Sequence, residues 1–461
     1  MSVQARRARL YELIVICALV GVGLGVRLHI RDGWTFVGGD SQGYLQLARN
    51  LAEHGTYAIA PNQPPHYSRM PLYPLFLAAV GNPRRTSRLD VTGVQVVLDL
   101  LAGLALYLIA RRLAGRVAAA LALALAMVCP FTAYFPAAIM SETLAAAITT
   151  LAICALIAGR RRPRLRFFVA GVLTGLGVLA RADGLLVAFA FLPALLLRDG
   201  DATPLRERAR WAALALAGFV LVYAPWPLRD WVKTGAAHPL GGFVTWHHGP
   251  LEHAEGYHHW LSTWARDGAP TRLGYCFYER SCVQDIASYP SEAFSSPAEH
   301  DEVAALIAAR ATTGVDEAMS ERFDALAADH RRRRPFYVNV SLPLRRATNL
   351  WVNRHEDLIE DERYRPWRAV YDPVLHNGVA ISKWMTLAIL AGAALLLARR
   401  RTRRIAAVLL AALVGRTLVL AYSYYVEPRY LVEVIPLGLV LIAGGLVELT
   451  RWRRAVPPPV D

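Results

Sequence analysis

Asp40 stands behind two glycines in Gly38-Gly39-Asp40-Ser41 and opens an amphipathic run that sets Tyr44, Leu47, Ala48 and Leu51 on one face and stops at Gly55. Two glycines let a backbone approach a bulky ligand closely, and a carboxylate beside them has the chemistry of a general base toward an incoming hydroxyl. Asp40 and Ser41 are equally good helix caps, and capping and catalysis do not exclude each other. Next comes His66-Tyr67-Ser68-Arg69-Met70-Pro71-Leu72-Tyr73-Pro74, in which prolines set the bends and Arg69 precedes an apolar helix running through Phe76 to Val80. A guanidinium at headgroup level pairs well with phosphate oxygens. The plainer alternative is an arginine that snorkels to lipid headgroups.

Other charged residues recur near the ends of apolar segments. Glu142 follows Ser141, where it is either a site carboxylate or a first-turn acid that complements a helix dipole. Arg181-Ala182-Asp183-Gly184 reads as a tight turn whose Arg/Asp pair is structural glue or part of a site. Trp226, Arg229 and Asp230 end one segment, and Tyr424, Tyr425, Glu427, Pro428, Arg429 and Tyr430 enter another, with aromatics of the kind that belong at a membrane interface. From Trp246 to Trp260 come His247, His248, His253, His258 and His259 with Glu252 and Glu255, but their spacing fits no closed metal-ligand pattern. A polar, ligand-facing loop fits them better than a metal site.

The elements that hold these residues are apolar. Of 461 residues 55% are hydrophobic, and the mean hydropathy of +0.29 excludes an ordinary soluble enzyme. We expect about ten membrane spans, near 11–29, 91–110, 117–136, 142–158, 166–180, 184–198, 210–227, 379–398, 404–422 and 430–449. The first follows Arg6, Arg7 and Arg9, lacks a cleavage site and reads as a retained anchor. Arginines recur in alternate connections, at Arg111, Arg112 and Arg116, at Arg160 to Arg166, at Arg198 to Arg210, at Arg399 to Arg404 and at Arg451 to Arg454. The positive-inside rule then puts both termini in the cytoplasm and residues 30–90 and 228–378 outside.

The net charge of +15 is thus a topology signal, because the outer segment from Arg229 to Gly378 carries 21 acids against 17 bases. Nucleic acid is not an expected partner. Cys276 and Cys282 fall in that segment, where they either form a disulfide or stay as thiols. Residues 296–334 read as soluble helices, with Asp316 and Glu317 early in one and Arg331 to Arg334 at its end, where they contact an anionic acceptor or complement the dipole. With no inverted repeat and few ionisable residues inside the spans, a coupled transporter is disfavoured. Three parts are expected: a membrane module over 1–227 with the first outer loop, a mostly helical extracytoplasmic segment over 228–378, and a second membrane module over 379–461.

Taken together, the chain resembles the membrane-embedded C-type glycosyltransferases that use polyprenyl-phosphate sugars, close to the protein mannosyltransferase, lipid A aminoarabinose and lipopolysaccharide galacturonosyl transferase group. The resemblance rests on Gly39-Asp40-Ser41 with Tyr44 and Leu47-Ala48, Arg69 to Pro74, Ser141-Glu142-Thr143, Ala180-Arg181 with Gly184, Pro225-Trp226 with Arg229, and Glu427-Pro428-Arg429-Tyr430. It implies an all-α polytopic fold in the cytoplasmic membrane and an active site on its outer face. It also implies an inverting transfer of a monosaccharide from a polyprenyl-phosphate donor to an extracytoplasmic glycan, lipid or protein acceptor. Asp40 matches the family's proposed base, which should stand unpaired. Arg69, Tyr44, Glu142, Arg181, Arg229, Glu427 and Arg429 are the expected donor-phosphate and substrate contacts. A divalent cation would help the phosphate depart, although one acid in the first loop does not by itself supply its ligands. The alternative function is a carrier for lipid-linked saccharide without chemistry, in which Asp40 only caps a helix.

Overall fold

A computed structural model describes residues 3–33, 37, 40–63, 66, 69–81, 88–158, 162–197, 203–235, 240, 255–266, 273, 277, 285–353, 377–423 and 427–455. Gly38, Gly39, Tyr67, Ser68, Arg160, Arg161, Arg198, His247, His248, Glu252, His253, Cys276, Cys282, Tyr424 and Tyr425 lie outside the described residues. Among those described the regular structure is helical, with no strand. In chain order the helices are α1 (Val3–Gly33), α2 (Asp40–His54), α3 (Leu72–Val80), α4 (Arg88–Ala114), α5 (Arg116–Val128), α6 (Glu142–Ile157), α7 (Pro163–Ala180), α8 (Phe191–Leu196), α9 (Leu205–Tyr223) and α10 (Pro225–Thr234). There follow α11 (Glu255–Leu261), α12 (Pro297–Thr313), α13 (Glu317–Arg333), α14 (Leu342–Trp351), α15 (Gly378–Ala398), α16 (Arg400–Tyr422) and α17 (Ile435–Ala455).

Among the described residues six helices are long and apolar enough to cross a membrane: Arg6–Gly33, Asp90–Ala114, Pro163–Ala180, Gly378–Ala398, Arg400–Tyr422 and Ile435–Arg453. The bent pair α9 and α10 makes a seventh if it crosses as one element. The chain is an all-α, multi-pass membrane protein. The count of ten is not reached among the described residues, because the apolar helices Arg116–Val128, Glu142–Ile157 and Ala182–Leu196 are shorter than a full span. Composition alone did not show where these segments break. The expected 117–136 span ends at Val128, ahead of Pro130, and passes into a buried turn with a short 3-10 helix at Phe135–Ala137. The expected 184–198 span is a 3-10 helix over Ala182–Ala190 followed by α8.

The chain divides into two units, one of Met1–Gly241, Arg354–Gly415 and Leu431–Asp461, the other of Gly242–Asn353 and Arg416–Tyr430. In the first, α7 and α9 approach through small residues. A Cβ on Gly171 would lie 1.9 Å from the Ala215 carbonyl oxygen, and one on Gly218 would lie 2.4 Å from that of Phe168. Within the apolar segments Arg27 of α1 pairs with Asp99 of α4 and donates to the carbonyls of Ala126 at 3.2 Å and Met127 at 2.8 Å. That pair, which the sequence reading passed over, closes the C-terminal end of the shortened α5, where helix carbonyls lack partners.

The second unit has its own aromatic core of Tyr257, Trp260, Trp264, Phe277, Tyr289 and Phe323. The helices expected over 296–334 are α12 and α13. Ser296 caps α12 by accepting from the Glu299 amide at 3.2 Å while Glu299 accepts from the Ser295 amide at 2.7 Å. Asp316 caps α13 through the Met319 amide at 2.8 Å.

Candidate functional site

Asp40 is the first residue of α2, and that helix buries Tyr44, Leu47 and Ala48 of the expected face, with Leu51 only partly buried. Gly55 ends it with φ +64, a left-handed value that glycine adopts without strain, and its amide donates to the Leu51 carbonyl at 3.0 Å. Asn50 ties the following loop back by donating to the carbonyls of Ala58 at 2.7 Å and Ile59 at 2.8 Å. The Tyr57 hydroxyl then donates to the Arg69 carbonyl at 3.0 Å. The loop that carries Arg69 is held from both ends. Just beyond, Tyr73 of α3 meets Tyr44 edge-on at 4.9 Å and donates to Gln95 of α4 at 2.8 Å, and Gln95 donates to the Ala138 carbonyl at 2.7 Å. Apolar α3 is thereby fixed to the buried turn that leads into α6.

This scaffold converges on a chain of polar groups. Arg69 donates through Nη2 to Asp40 Oδ1 at 2.7 Å and through Nη1 to the Tyr44 hydroxyl at 3.0 Å, with its guanidinium carbon 4.6 Å from the Tyr44 ring centre. The Tyr44 hydroxyl is 3.4 Å from Ser141 Oγ, which accepts from Arg181 at 3.2 Å. Arg181 is extended at the reversal after α7, where its amide donates to the Gly177 carbonyl and the Gly184 amide donates to the carbonyl of Arg181, each at 2.9 Å. Only glycine fits at 184, since a Cβ there would lie 2.5 Å from the Gly177 carbonyl.

Three carboxylates surround this guanidinium: Glu142 at 2.9 Å, Asp183 at 3.1 Å and Glu433 at 3.3 Å. Glu433 also accepts from Thr149 at 3.2 Å. Glu142 and Glu433 are almost wholly buried, so their charge depends on Arg181.

Beside this chain, Arg229 of α10 pairs with Asp230 at 2.7 Å and lies over the rings of Trp226 at 4.7 Å and Tyr57 at 5.5 Å. Burial, with Arg69 and Arg229 next, lowers His66 to about 4, so its imidazole is neutral near pH 7. Burial also raises Tyr57 well above its ordinary value, which keeps it a hydroxyl donor. For Arg69, burial acts against the charge, but the Tyr44 hydroxyl and the Asp40 carboxylate more than reverse it. A groove of about 540 Å³ runs past Tyr57, Pro71, Leu75, Trp226, Arg229 and Lys233.

The structure therefore brings Asp40, Tyr44, Arg69, Glu142 and Arg181 into one network, with Arg229 next to it. Glu427 and Arg429 belong to the second unit, where they pair with each other. The expectation of an unpaired Asp40 is not met, because Arg69 projects from a loop pinned by Tyr57 directly onto that carboxylate. The sequence reading missed Glu433 and the bridging hydroxyl of Ser141. An acid inside the last apolar segment was the available signal for the first. Among the described residues no three His, Cys, Asp or Glu side chains form a group able to hold a metal ion.

Residues 68–227 match the family described as Dolichyl-phosphate-mannose-protein mannosyltransferase. The fold is similar to that of the archaeal oligosaccharyltransferase AglB from Archaeoglobus fulgidus, solved with an inhibitory peptide and a dolichol-phosphate, with TM-score 0.51 and 15% identity over 98% of this chain and 53% of that one. ArnT from Cupriavidus metallidurans, solved with undecaprenyl phosphate, matches with TM-score 0.43 and 16% identity over 97% of this chain and 81% of that one. The chain spans about half the length of the oligosaccharyltransferase. No curated protein sequence matches. The resemblance read from the sequence motifs is borne out, and the chain has the fold of the membrane-embedded C-type glycosyltransferases.

Proposed function

We propose that the protein is an inverting glycosyltransferase that moves a monosaccharide from a polyprenyl-phosphate donor to a glycan, lipid or protein acceptor outside the cytoplasmic membrane, with both termini inside. The observation that carries this reading is Arg69 held between Asp40 and the Tyr44 hydroxyl at 2.7 and 3.0 Å. One guanidinium there guards the candidate base and offers the cation that a departing phosphate needs. Outside the cytoplasm no nucleotide sugar is at hand, so the membrane must deliver the activated sugar.

Donor phosphate competes with Asp40 for Arg69, and its arrival releases the carboxylate. The acceptor hydroxyl gives its proton to Asp40, and its oxygen bonds to the anomeric carbon from the face opposite the phosphate. The anomeric carbon–oxygen bond breaks with its electron pair leaving on the phosphate oxygen, so polyprenyl phosphate is released and the anomeric centre inverts. Tyr44 keeps Arg69 aimed, Arg229 is a second cation for the phosphate, and Arg181 with Glu142 holds Ser141 against Tyr44. Glu427 and Arg429 are proposed substrate contacts, and acceptor choice is assigned to residues 228–378. A divalent cation would further neutralise the leaving phosphate, but no step above runs through one.

Asp40 at the head of α2, already paired, also suits a lipid-linked saccharide carrier without chemistry. One experiment separates the readings. Purified wild type and Asp40→Asn are incubated with radiolabelled polyprenyl-phosphate sugars and membrane glycolipid extract, and release of free polyprenyl phosphate is followed. Turnover by the wild type that a correctly folded variant loses supports the transferase. Equal turnover by both removes Asp40 as the base, and transport of intact donor without release supports the carrier.

A further inference from the structure

A continuous helical run over 335–351 of the second unit, five residues of which form a wide π turn at Tyr337–Ser341, has two unlike faces. Leu342, Arg346 and Leu350, spaced four apart, are buried against the unit. Arg346 fixes that side by donating to the carbonyls of Ala265 at 2.7 Å and Ser262 at 2.9 Å. On the opposite side Phe336, Val340 and Leu344, also four apart, are 72%, 48% and 66% exposed. Burying such a stripe in water-free surroundings is favourable, and leaving it in water is not.

Charge and neighbours indicate what covers it. The run contains no acidic residue, and exposed Arg345 within it and Arg331, Arg332 and Arg333 just before it supply cations. Arg332 and Arg333 share one carboxylate, Asp329, at 3.4 and 2.5 Å, so the cluster keeps an excess of positive charge. The run also lies against the last turns of α16, a helix long enough to cross a membrane: Trp351 donates to Thr417 at 2.9 Å, and the Tyr422 hydroxyl donates to the Asn339 carbonyl at 2.9 Å. Where a spanning helix ends, the surrounding medium is lipid headgroup, and Tyr and Trp with an apolar body and a polar tip belong at that depth.

We infer that helix 335–351 is an interfacial helix seated on the bilayer that α16 enters, with Phe336, Val340 and Leu344 at the acyl boundary and Arg345 and Arg331 to Arg333 on lipid phosphates. It fixes the second unit on the membrane surface. This inference is independent of the chemistry at Asp40.

The test places a photoreactive benzoylphenylalanine at Phe336, Val340 or Leu344 of the full-length protein, and at the exposed control positions Asp301 of α12 and Glu321 of α13. Each variant goes into nanodiscs of phosphatidylethanolamine with phosphatidylglycerol, or of phosphatidylcholine alone, and adducts are identified by mass spectrometry. Lipid adducts at the three stripe positions and not at the controls, reduced in the zwitterionic discs, are expected. Adducts at the stripe no more frequent than at the controls, or adducts to a second copy of the chain, would overturn the inference. Equal yields in the two kinds of disc would overturn the role given to the arginines.

Discussion

Arg69 reaches Asp40 at 2.7 Å with one nitrogen and the Tyr44 hydroxyl at 3.0 Å with the other, so neither Asp40 nor Tyr44 can change its state without moving this guanidinium. Such a pair is a resting state. An aspartate held by an arginine is a weak base, and the donor phosphodiester, whose single negative charge is shared by two non-bridging oxygens, offers the same fork two acceptors and gains charge as it departs. Asp40→Asn should therefore lose polyprenyl-phosphate release by roughly 10²- to 10⁴-fold, the usual worth of a general base. Arg69→Lys should keep charge but lose the double contact, raising KM for the donor more than it lowers kcat. Both variants are to be checked by thermal melting, and an Asp40→Asn protein of full activity would end the assignment.

Arg181 is surrounded by Glu142, Asp183 and Glu433, and removing it deprives the two nearly inaccessible carboxylates of Glu142 and Glu433 of its charge. Breaking a buried pair from one side costs about 3–5 kcal/mol. Arg181→Ala should melt well below the wild type in detergent, whereas Arg181→Ala combined with Glu142→Gln and Glu433→Gln should recover part of the loss. Equal melting of the single and triple variants would show that charge is not what holds this junction.

Much of this site was legible in the chain because each residue stands beside a local break: Asp40 at a helix start, Arg69 before Pro71, Glu142 after Ser141, Arg181 before Gly184. What joins them was not legible. Tyr44, Ser141 and Arg181 meet only because α2, α6 and the end of α7 pack together, and no periodicity within one segment encodes that meeting. The span count of ten was not reached among the described residues for a related reason. Hydropathy measures how apolar a stretch is, and the 117–136 stretch stays apolar through a buried turn that ends the helix at Val128. Glu433 was overlooked because it lies in a stretch read only as a span.

The contact between α7 and α9 depends on hydrogen atoms at two positions. A Cβ at Gly171 would meet the Ala215 carbonyl oxygen at 1.9 Å, which is backbone and cannot turn aside. Gly171→Leu should part the two helices and lower the melting temperature markedly, and it should do so more than Gly25→Leu, where nothing lies within 4 Å of the added Cβ. Similar melting of the two variants would refute the close crossing.

Acid should destabilise both units through groups that fold in their uncharged or paired forms. His66 and His258 are each lowered from 6.5 to about 4, in both cases chiefly by burial, with Arg69 and Arg229 adding to it at His66 and His259 at His258. As pH falls below 6.5 the unfolded chain takes up these protons and the folded chain does not, so the stability present above 6.5 is lost progressively down to about 4. Glu299 acts in a lower window. Burial pushes it up, but His330, the Ser295 amide and Trp260 outweigh burial and hold it below its ordinary 4.5, so its contribution disappears as pH falls through that depressed value. The double variant His66→Gln, His258→Gln should show a flatter fall of melting temperature between pH 6.5 and 4 than the wild type, with the steep loss below that range retained. Parallel curves across the upper window would mean that neither imidazole is buried as a neutral group.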